Sequence, residues 1–465
     1  MEAKRSLSDS LKRSFPHAPT EDQASFIVRF DSFLRSAKSV FLLKGYAGTG
    51  KTRLMRSLTE VLPQHSISVV LLAPTGRAAK VLEDSAGRPA STIHRHIYRP
   101  MPSPDGSPTF VLKPNKQKNA LFIVDEASMV GDGQQDLRGR SLLEDLIRFV
   151  FDSQKGCRLL FIGDVAQLPP IGTRLSKALD AQFLRGLCGL EVEEVLMTQV
   201  VRQKDSSGIL HNATALRQQM KEEGEVKLQH FSDFELLEDH YAVEEAVQES
   251  FQSDRLGEAL YIVRSNKRAN AVNQAIRARV LYREDELSAG DHLMVVRNNY
   301  FWLGQEQGGF IANGEQMEVQ RILRYEDKYG LRFAQLRLLM QIAGKAHELE
   351  AWVHLDSLAI ETPSFPSARM QQLYRDVQAE HGHLSGAKKR KAVLTDPHLH
   401  ALQVKFAYAV TCHKSQGGQW KRVLIEKPWL PEGRWMLEDK RWLYTAVTRA
   451  EQQVQLMGFK EEKEQ

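Results

Sequence analysis

The sequence predicts an α/β protein of two lobes built on parallel sheets, with a small hairpin insertion in the first lobe and a small β-barrel inserted in the second. Three observations carry that reading. Short apolar runs at residues 39–43, 68–73, 120–124 and 158–162 alternate with helix-forming stretches, as strands buried on both faces by crossover helices do. The alternation stops and later returns, with apolar runs at 260–263, 404–409, 423–425 and 454–457 and helical segments near 267–279, 413–419 and 443–449. Between these stretches, roughly 285–400, the chain has another character, and at 465 residues it is too long for one core.

The first run leads into Gly45-Tyr46-Ala47-Gly48-Thr49-Gly50-Lys51-Thr52, the pattern G-x-x-x-x-G-K-[ST]. Such a loop curls its backbone N–H groups around phosphate oxygens, and the helix after it adds its positive end to the same spot. Gly45, Ala47, Gly48, Thr49, Gly50, Lys51 and Thr52 are therefore the nucleotide-binding candidates. Lys51 is placed to meet the β- and γ-phosphates, and Thr52 to hold Mg2+ through its hydroxyl. The run at 120–124 closes on Asp125-Glu126-Ala127-Ser128. Asp125 at that strand end suits the metal's shell, and Glu126 suits a general base that polarises an attacking water.

Residues 95–119 do not continue the strand–helix pattern. With Asp105-Gly106 as the turn, and with Tyr98 and Phe110 as aromatic residues on its arms, the segment reads as a β-hairpin. After the run at 158–162 comes Gly163-Asp164-Val165-Ala166-Gln167-Leu168-Pro169-Pro170, a rigid loop whose Gln167 amide can point at a γ-phosphate.

In the second lobe, short strand-like runs at 293–296, 316–319, 333–339 and 349–354 are punctuated by Gly and Asn, which fits a barrel over 290–355. Residues 364–400 turn helical and polar and carry Lys388-Lys389-Arg390-Lys391. That tetrad reads as a solvated loop or as a contact for a nucleic-acid backbone. Thr411-Cys412-His413-Lys414-Ser415-Gln416-Gly417-Gly418 follows the run at 404–409, and its hydroxyls, glycines and basic groups suit phosphate contacts. Trp442 to Ala450 then sets Arg449 on the last helix of this lobe.

Composition limits the classes that remain. Hydrophobic residues make up 42% and charged residues 26%, as expected of a globular protein in water. Lys and Arg exceed Asp and Glu by 63 − 58 = 5, which permits a nucleic-acid partner without demanding one. The three cysteines share no metal-like spacing and are too few for a disulfide framework, so a reducing, intracellular setting is expected. No apolar run approaches the ~18 residues of a membrane span, and residues 1–13 lack the apolar core of a signal peptide.

Taken in order, GYAGTGKT, APTGRAAKVL, VDEAS, GDVAQLPPIG, VVRQ, AVTCHKSQG and LYTAVTRA resemble the motifs of a superfamily 1 helicase, closest to the RecD and Dda type that runs 5′ to 3′ on DNA. The resemblance implies two RecA-like P-loop lobes and an SH3-like barrel. The first lobe would span 1–190, with a pin hairpin at 95–119. The second would comprise 191–284 and 401–465, with the barrel and helical segment at 285–400.

Several roles are implied by this resemblance alone. Gln23, in Pro19-Thr20-Glu21-Asp22-Gln23, would recognise adenine, although a Gln at that spacing is also a common helix-start residue. Gln167 would sense the γ-phosphate, and Arg202 and Arg449 would grip phosphate oxygens from the second lobe. Gly417 and Gln419 would lie near the nucleotide, Gln419 standing where related motifs often carry a Glu that contacts ribose. Thr75, Arg77, Thr92, His94, Thr411 and His413 would touch DNA, as would Tyr98 and Phe110 of the pin.

The expected protein is an ATP- and Mg2+-dependent DNA helicase, active on single strands and on junctions of single- and double-stranded DNA. It is expected to be monomeric, without a membrane, and in reach of single-strand-binding or recombination proteins. Two alternatives stand beside it: an ATP-driven single-strand translocase that works inside a larger complex, and an ATP-switched nucleic-acid clamp.

Overall fold

The computed structural model describes residues 6–102, 108–131, 141–152, 156–201, 207–252, 257–304, 310–342 and 345–460. It divides into two compact units. The first comprises Met1–Met101, Thr109–Val226 and Trp435–Thr448, and the second Pro102–Pro108, Lys227–Arg434 and Arg449–Gln465. Among the described residues, no helix is long and apolar enough to cross a membrane.

The strands of the first unit are β1 (Val40–Gly45), β2 (Ser68–Ala73), β3 (Ala90–Thr92), β4 (Tyr98–Pro102), β5 (Pro108–Leu112), β6 (Ala120–Val124), β7 (Arg158–Gly163) and β8 (Val192–Met197). Six of them form one sheet in the order β3-β2-β6-β7-β1-β8, with every pairing parallel. Alternate residues feed opposite faces, as strand geometry requires. Phe41, Leu43, Leu121, Ile123, Leu160 and Ile162 join one core with Phe26, Phe30 and Phe33 of the helix Glu21–Arg35 and Leu54 and Leu58 of the helix Lys51–Val61. Val40, Leu42, Phe122, Val124, Leu159 and Phe161 face the other way, onto Leu143, Leu146 and Val150 of the helix Leu142–Phe151. β4 and β5 pair with each other alone, as the hairpin reading expects. Its turn at Asp105-Gly106 lies outside the described residues.

The lobe boundary differs from the sequence reading. β8 pairs in parallel with β1, so the first unit continues past residue 190 and reaches Val226. The unit also takes in the helix Leu437–Val447, which the sequence pattern assigned to the second lobe.

The second unit holds β9 (Phe234–Leu237), β10 (Ala259–Val263), β11 (His292–Val295), β12 (Gln316–Lys328), β13 (Leu331–Ile342), β14 (Lys345–His354), β15 (Leu402–Phe406), β16 (Ala409–Thr411), β17 (Trp420–Glu426) and β18 (Ala450–Met457). A parallel sheet runs β16-β10-β17-β18-β9, and β11 to β15 close into a barrel. The barrel is not confined to 290–355. Its closing strand β15 comes from the run read as part of the lobe, and that run splits at Ala407-Tyr408 between barrel and sheet. The helix Ser367–Glu380 packs on the barrel through Leu373 and Val377, against Phe333 and Trp352.

One buried charge network ties the barrel to the sheet. Asp291, fully buried before β11, accepts from Arg277 Nε at 3.1 Å and Nη2 at 3.0 Å, from Arg283 at 2.8 Å, from the Tyr408 hydroxyl at 2.9 Å and from Ser288 N–H at 2.8 Å. Arg277 comes from the helix Asn266–Arg279 and lies over the Phe406 ring of β15 at 4.4 Å. Breaking a buried pair leaves an uncompensated charge, at a cost of about 3–5 kcal/mol. Arg277→Ala should therefore lower the stability of the second unit by roughly 3 kcal/mol, read as a lower urea midpoint in denaturation. A midpoint within error of wild type would show that Arg283 and Tyr408 suffice to hold Asp291.

Candidate active site

In a parallel sheet all strands end at one edge, so the loops after β6, β7 and β1, three neighbours in the order, leave the sheet side by side. The loop after β1 is the phosphate-binding candidate. Gly50, the residue before the helix Lys51–Val61, takes φ 85°, a left-handed conformation that suits glycine. A Cβ there would come within 2.5 Å of Gln23 Nε2. Lys51 Nζ donates to the carbonyls of Gly45 at 2.7 Å and Tyr46 at 2.8 Å, so its ammonium is folded back over the loop. Thr52 follows it on the first helical turn. Thr49 is buried, with its hydroxyl donating to Tyr46 O at 2.8 Å. Gly48 takes φ 78°.

Asp125 and Glu126 stand directly after β6. Asp125 Oδ1 accepts from the Glu126 N–H at 2.9 Å. Burial, and next the neighbouring Glu126 charge, raise the Asp125 carboxyl well above the usual carboxylate range, while the Glu126 N–H and Lys51 oppose that shift. Glu126 itself sits at φ 51°, ψ 39°, a left-handed conformation uncommon for a non-glycine residue and frequent at functional sites.

Gln167 lies in the loop after β7, 6% exposed, and its side-chain oxygen is buried without a hydrogen-bond partner among the described residues. The Ser128 hydroxyl is likewise buried and unpartnered, and both residues line one small cavity with Asp164, Arg174 and Arg441. A buried unpaired oxygen is costly unless something arrives to satisfy it.

A contact that the sequence reading missed joins these loops. The Tyr444 hydroxyl, on the helix Leu437–Val447, donates to Asp164 Oδ2 at 2.7 Å and accepts from the Ala47 N–H at 2.9 Å. Thr445 Oγ accepts from Leu168 N–H at 2.8 Å. Burial and the Asp164 charge hold the Tyr444 phenol protonated. Motif order alone marks this helix only as the carrier of an arginine, because nothing local to Tyr444 announces partners hundreds of residues away.

Gln23 is 3% exposed and fills two roles at once. Its side-chain oxygen accepts from Thr20 N–H at 3.1 Å in a capping box, and its Nε2 donates to Thr49 O of the phosphate loop at 3.3 Å. The helix-start reading thus describes the geometry, and the same amide also braces the loop.

The second unit carries Gly417, at φ 74°, with Gln419 exposed and Arg449 4% exposed. Arg449 lies beyond the helix Leu437–Val447 and directly before β18, so it is not on a helix as expected. Its Nη1 donates to Gly418 O at 3.3 Å. Arg202 lies outside the described residues.

The DNA-contact candidates fall into distinct settings. Thr75 and Thr92 each cap a helix, accepting from Ala78 N–H at 3.2 Å and Arg95 N–H at 3.1 Å. Arg77 is half-buried on the helix Gly76–Ala86, and burial lowers its pKa to about 10. Tyr98 is a core residue, 7% exposed, with its hydroxyl donating to Asp145 at 2.7 Å, and does not offer a free stacking face. His94 packs against Tyr98 at 4.8 Å and edge-on against the half-buried Phe110 at 4.5 Å, so the three rings brace the base of the hairpin. Thr411 and His413 are half-buried at the short helix Cys412–Ser415, where Thr411 makes no capping bond.

Models of known families match in two places: one described as an AAA domain over residues 20–247, and one described as a UvrD-like helicase C-terminal domain over 406–457. The ATP-dependent RecD2 DNA helicase of Deinococcus radiodurans is 32% identical over 197 residues, covering 42% of this chain and 24% of that protein. The ATP-dependent DNA helicase dda of phage T4 is 30% identical over 141 residues, 30% of each chain. By these matches the chain is similar to superfamily 1 helicases of the RecD and Dda type. It spans between 24% and 36% of the length of the first curated relatives it matches. Among solved structures, the Pif1 helicase of Candida albicans aligns over 95% of this chain and 94% of its own, at 15% identity and a TM-score of 0.47.

Burial and the nearby Lys113 lower the pKa of His94 to about 4 and do the same for His96, which packs on Phe122 and Phe149. His94 is therefore a neutral ring at neutral pH and no cation for phosphate. Between about pH 6.5 and 4 the unfolded chain binds protons that the folded histidines refuse, so stability falls as pH is lowered through that window. Melting temperature should drop from pH 7 to pH 5, and drop less in a His94→Gln, His96→Gln variant. An equal drop in both proteins would remove these histidines as the cause.

Proposed function

We propose that this chain is an ATP-dependent DNA helicase that moves 5′ to 3′ along single-stranded DNA and separates duplex ahead of it. The observation that carries the reading is the convergence of the phosphate loop, the Asp125-Glu126 pair and the Gln167 loop at one sheet edge, joined there by the Tyr444 hydroxyl. The 5′ to 3′ direction rests on the likeness to the RecD and Dda type, and the DNA substrate on relatives named as DNA helicases.

The roles follow from chemistry. Loop amides and Lys51 bind the phosphates, and Lys51 must leave the Gly45 and Tyr46 carbonyls to do so. Thr52 and Asp125 offer a hydroxyl and a carboxylate, the hard oxygen ligands Mg2+ prefers, and a half-buried carboxylate beside the Glu126 charge is best stabilised by a cation. Bound Mg2+ would neutralise charge on the phosphates. Glu126 orients and deprotonates the attacking water. The unpaired Gln167 oxygen can accept from that water, linking hydrolysis to the loop that Tyr444 holds. Arg202 and Arg449 complete the charge on the transferring phosphoryl group, where such arginines are worth on the order of 10³–10⁵ in rate. Gln23, Gly417 and Gln419 are assigned to nucleotide recognition.

Lys51→Ala should abolish DNA-stimulated ATP hydrolysis. Glu126→Gln should bind ATP and single-stranded DNA yet lose at least about 100-fold in turnover, the usual scale for removing a general base. Normal turnover in Glu126→Gln would reassign the base.

Strand displacement on partial duplexes should require a 5′ single-stranded tail. Shortening the hairpin between Pro102 and Phe110 should leave ATP hydrolysis on single strands near normal while unwinding fails. Efficient unwinding from 3′ tails alone would reverse the assigned polarity, and full unwinding by the shortened protein would make the hairpin a surface excursion.

A further inference from the structure

Lys388, Lys389, Arg390 and Lys391 are not in a loop. They lie on the helix Gly386–Leu394, whose Val393 is buried in a cluster with Phe333, Trp352, Leu373 and Val377. The helix is therefore fixed to the barrel and the cations are presented from a firm base. Lys388, Arg390 and Lys391 are exposed and Lys389 is half-exposed. Among the described residues none of the four side chains forms a hydrogen bond or an ion pair. Elsewhere on the same unit some surface cations are matched, Arg268 with Glu426, Arg332 with Glu286, Arg337 with Glu350 and Lys421 with Glu258. The exposed ones without an acid partner among the described residues, such as Arg279, Arg321 and Arg375, are single and not clustered. The acids of the adjoining segments are already engaged, Glu380 by Lys328 and Tyr329, Asp376 by Gln372, and Asp396 by His398 and His381.

The placement is also unfavourable for the helix by itself. Lys388 and Lys389 sit in or next to its first turn, where the helix end is positive; that turn holds no acid, and Ser385 makes no side-chain cap. Lys388 and Lys391, three apart, repel one another. Consecutive helix positions turn by about 100°, so the four cations fan around the helix with Lys388 and Lys391 nearest one face, and among the described residues no acid pairs with any of them. A duplex carries one negative charge per ~1.7 Å of its axis, so the two or three of these long side chains that reach one side find phosphates within their span. The helix bears no aromatic residue, whereas single strands are held largely by stacking on aromatic rings.

We infer that the helix Gly386–Leu394 is a docking site for the sugar-phosphate backbone of double-stranded DNA, read without regard to sequence. The inference rests on the proposed DNA function, for which this helix would hold the duplex arm of a junction while the single strand occupies its own track.

The test uses the full chain carrying Lys388→Gln, Lys389→Gln, Arg390→Gln and Lys391→Gln together, since Gln retains helix propensity. A control carries Lys267→Gln and Lys421→Gln, two cations already paired with acids. Binding of a blunt 20-base-pair duplex and of an oligothymidine single strand is measured against salt, alongside ATP hydrolysis at saturating oligothymidine and the melting temperature. Each phosphate contact contributes about −0.9 to the slope of log affinity against log salt. The quadruple variant should therefore lose roughly two to three units of duplex slope and at least ~10-fold in duplex affinity at low salt. Single-strand binding, ATP hydrolysis and melting temperature should stay at wild-type values, and the control should match wild type throughout. Unchanged duplex binding overturns the inference, and so does an equal loss for duplex and single strand, or an equal loss in the control. Absence of DNA-stimulated hydrolysis in the wild type would instead defeat the helicase reading, while leaving the duplex-binding comparison readable.

Discussion

The Tyr444 hydroxyl, held between Ala47 and Asp164, is the contact on which the arrangement of the first unit's loops depends. A phenol can donate once and accept as well, and here both capacities are spent on two different loops. Parallel strand order brings those loops to one edge, but a shared edge does not set their separation. The hydroxyl does, from a helix that enters this unit more than two hundred residues after the rest of it. Losing that oxygen would leave a buried N–H and a carboxylate without partners, a larger penalty than the bond's own contribution.

The second unit solves a different problem with a similar device. A barrel inserted into a sheet needs its first and last strands held near the point where the chain leaves and rejoins that sheet. Asp291, just before β11, and Tyr408, just after β15, meet there with Arg277 from the intervening helix. Two guanidinium groups, a phenol and a backbone N–H satisfy one carboxylate, which makes a fully buried charge tolerable. The apolar core is continuous across the same junction, from Tyr261 and Leu424 of the sheet to Val353 and Phe406 of the barrel.

Charge on the outer surface is less evenly settled. Some surface cations of the second unit sit beside acids, as Arg268 does beside Glu426 and Arg337 beside Glu350. The run on the helix Gly386–Leu394 sets four cations together with no acid paired to them among the described residues, and its anchoring through Val393 fixes that positive patch on the barrel.

The sequence by itself determined the strands and the chemistry of the loops. Apolar runs long enough to be buried on both faces, alternating with helix-forming stretches, pointed to parallel sheets covered by helices. The phosphate loop, Asp125-Glu126 and Gln167 follow their strands directly, so local order sufficed to locate them. What only the tertiary structure decided are the pairings between distant segments. β8 joins the first sheet because its parallel neighbour is β1, and the run at 402–411 divides between barrel and sheet. Tyr98 is taken by Asp145, Gln23 caps its helix while bracing Thr49, and Tyr444 finds Asp164. None of these has a sequence signal, because a hydrogen bond between residues far apart is selected by geometry that exists only once both strands are in place.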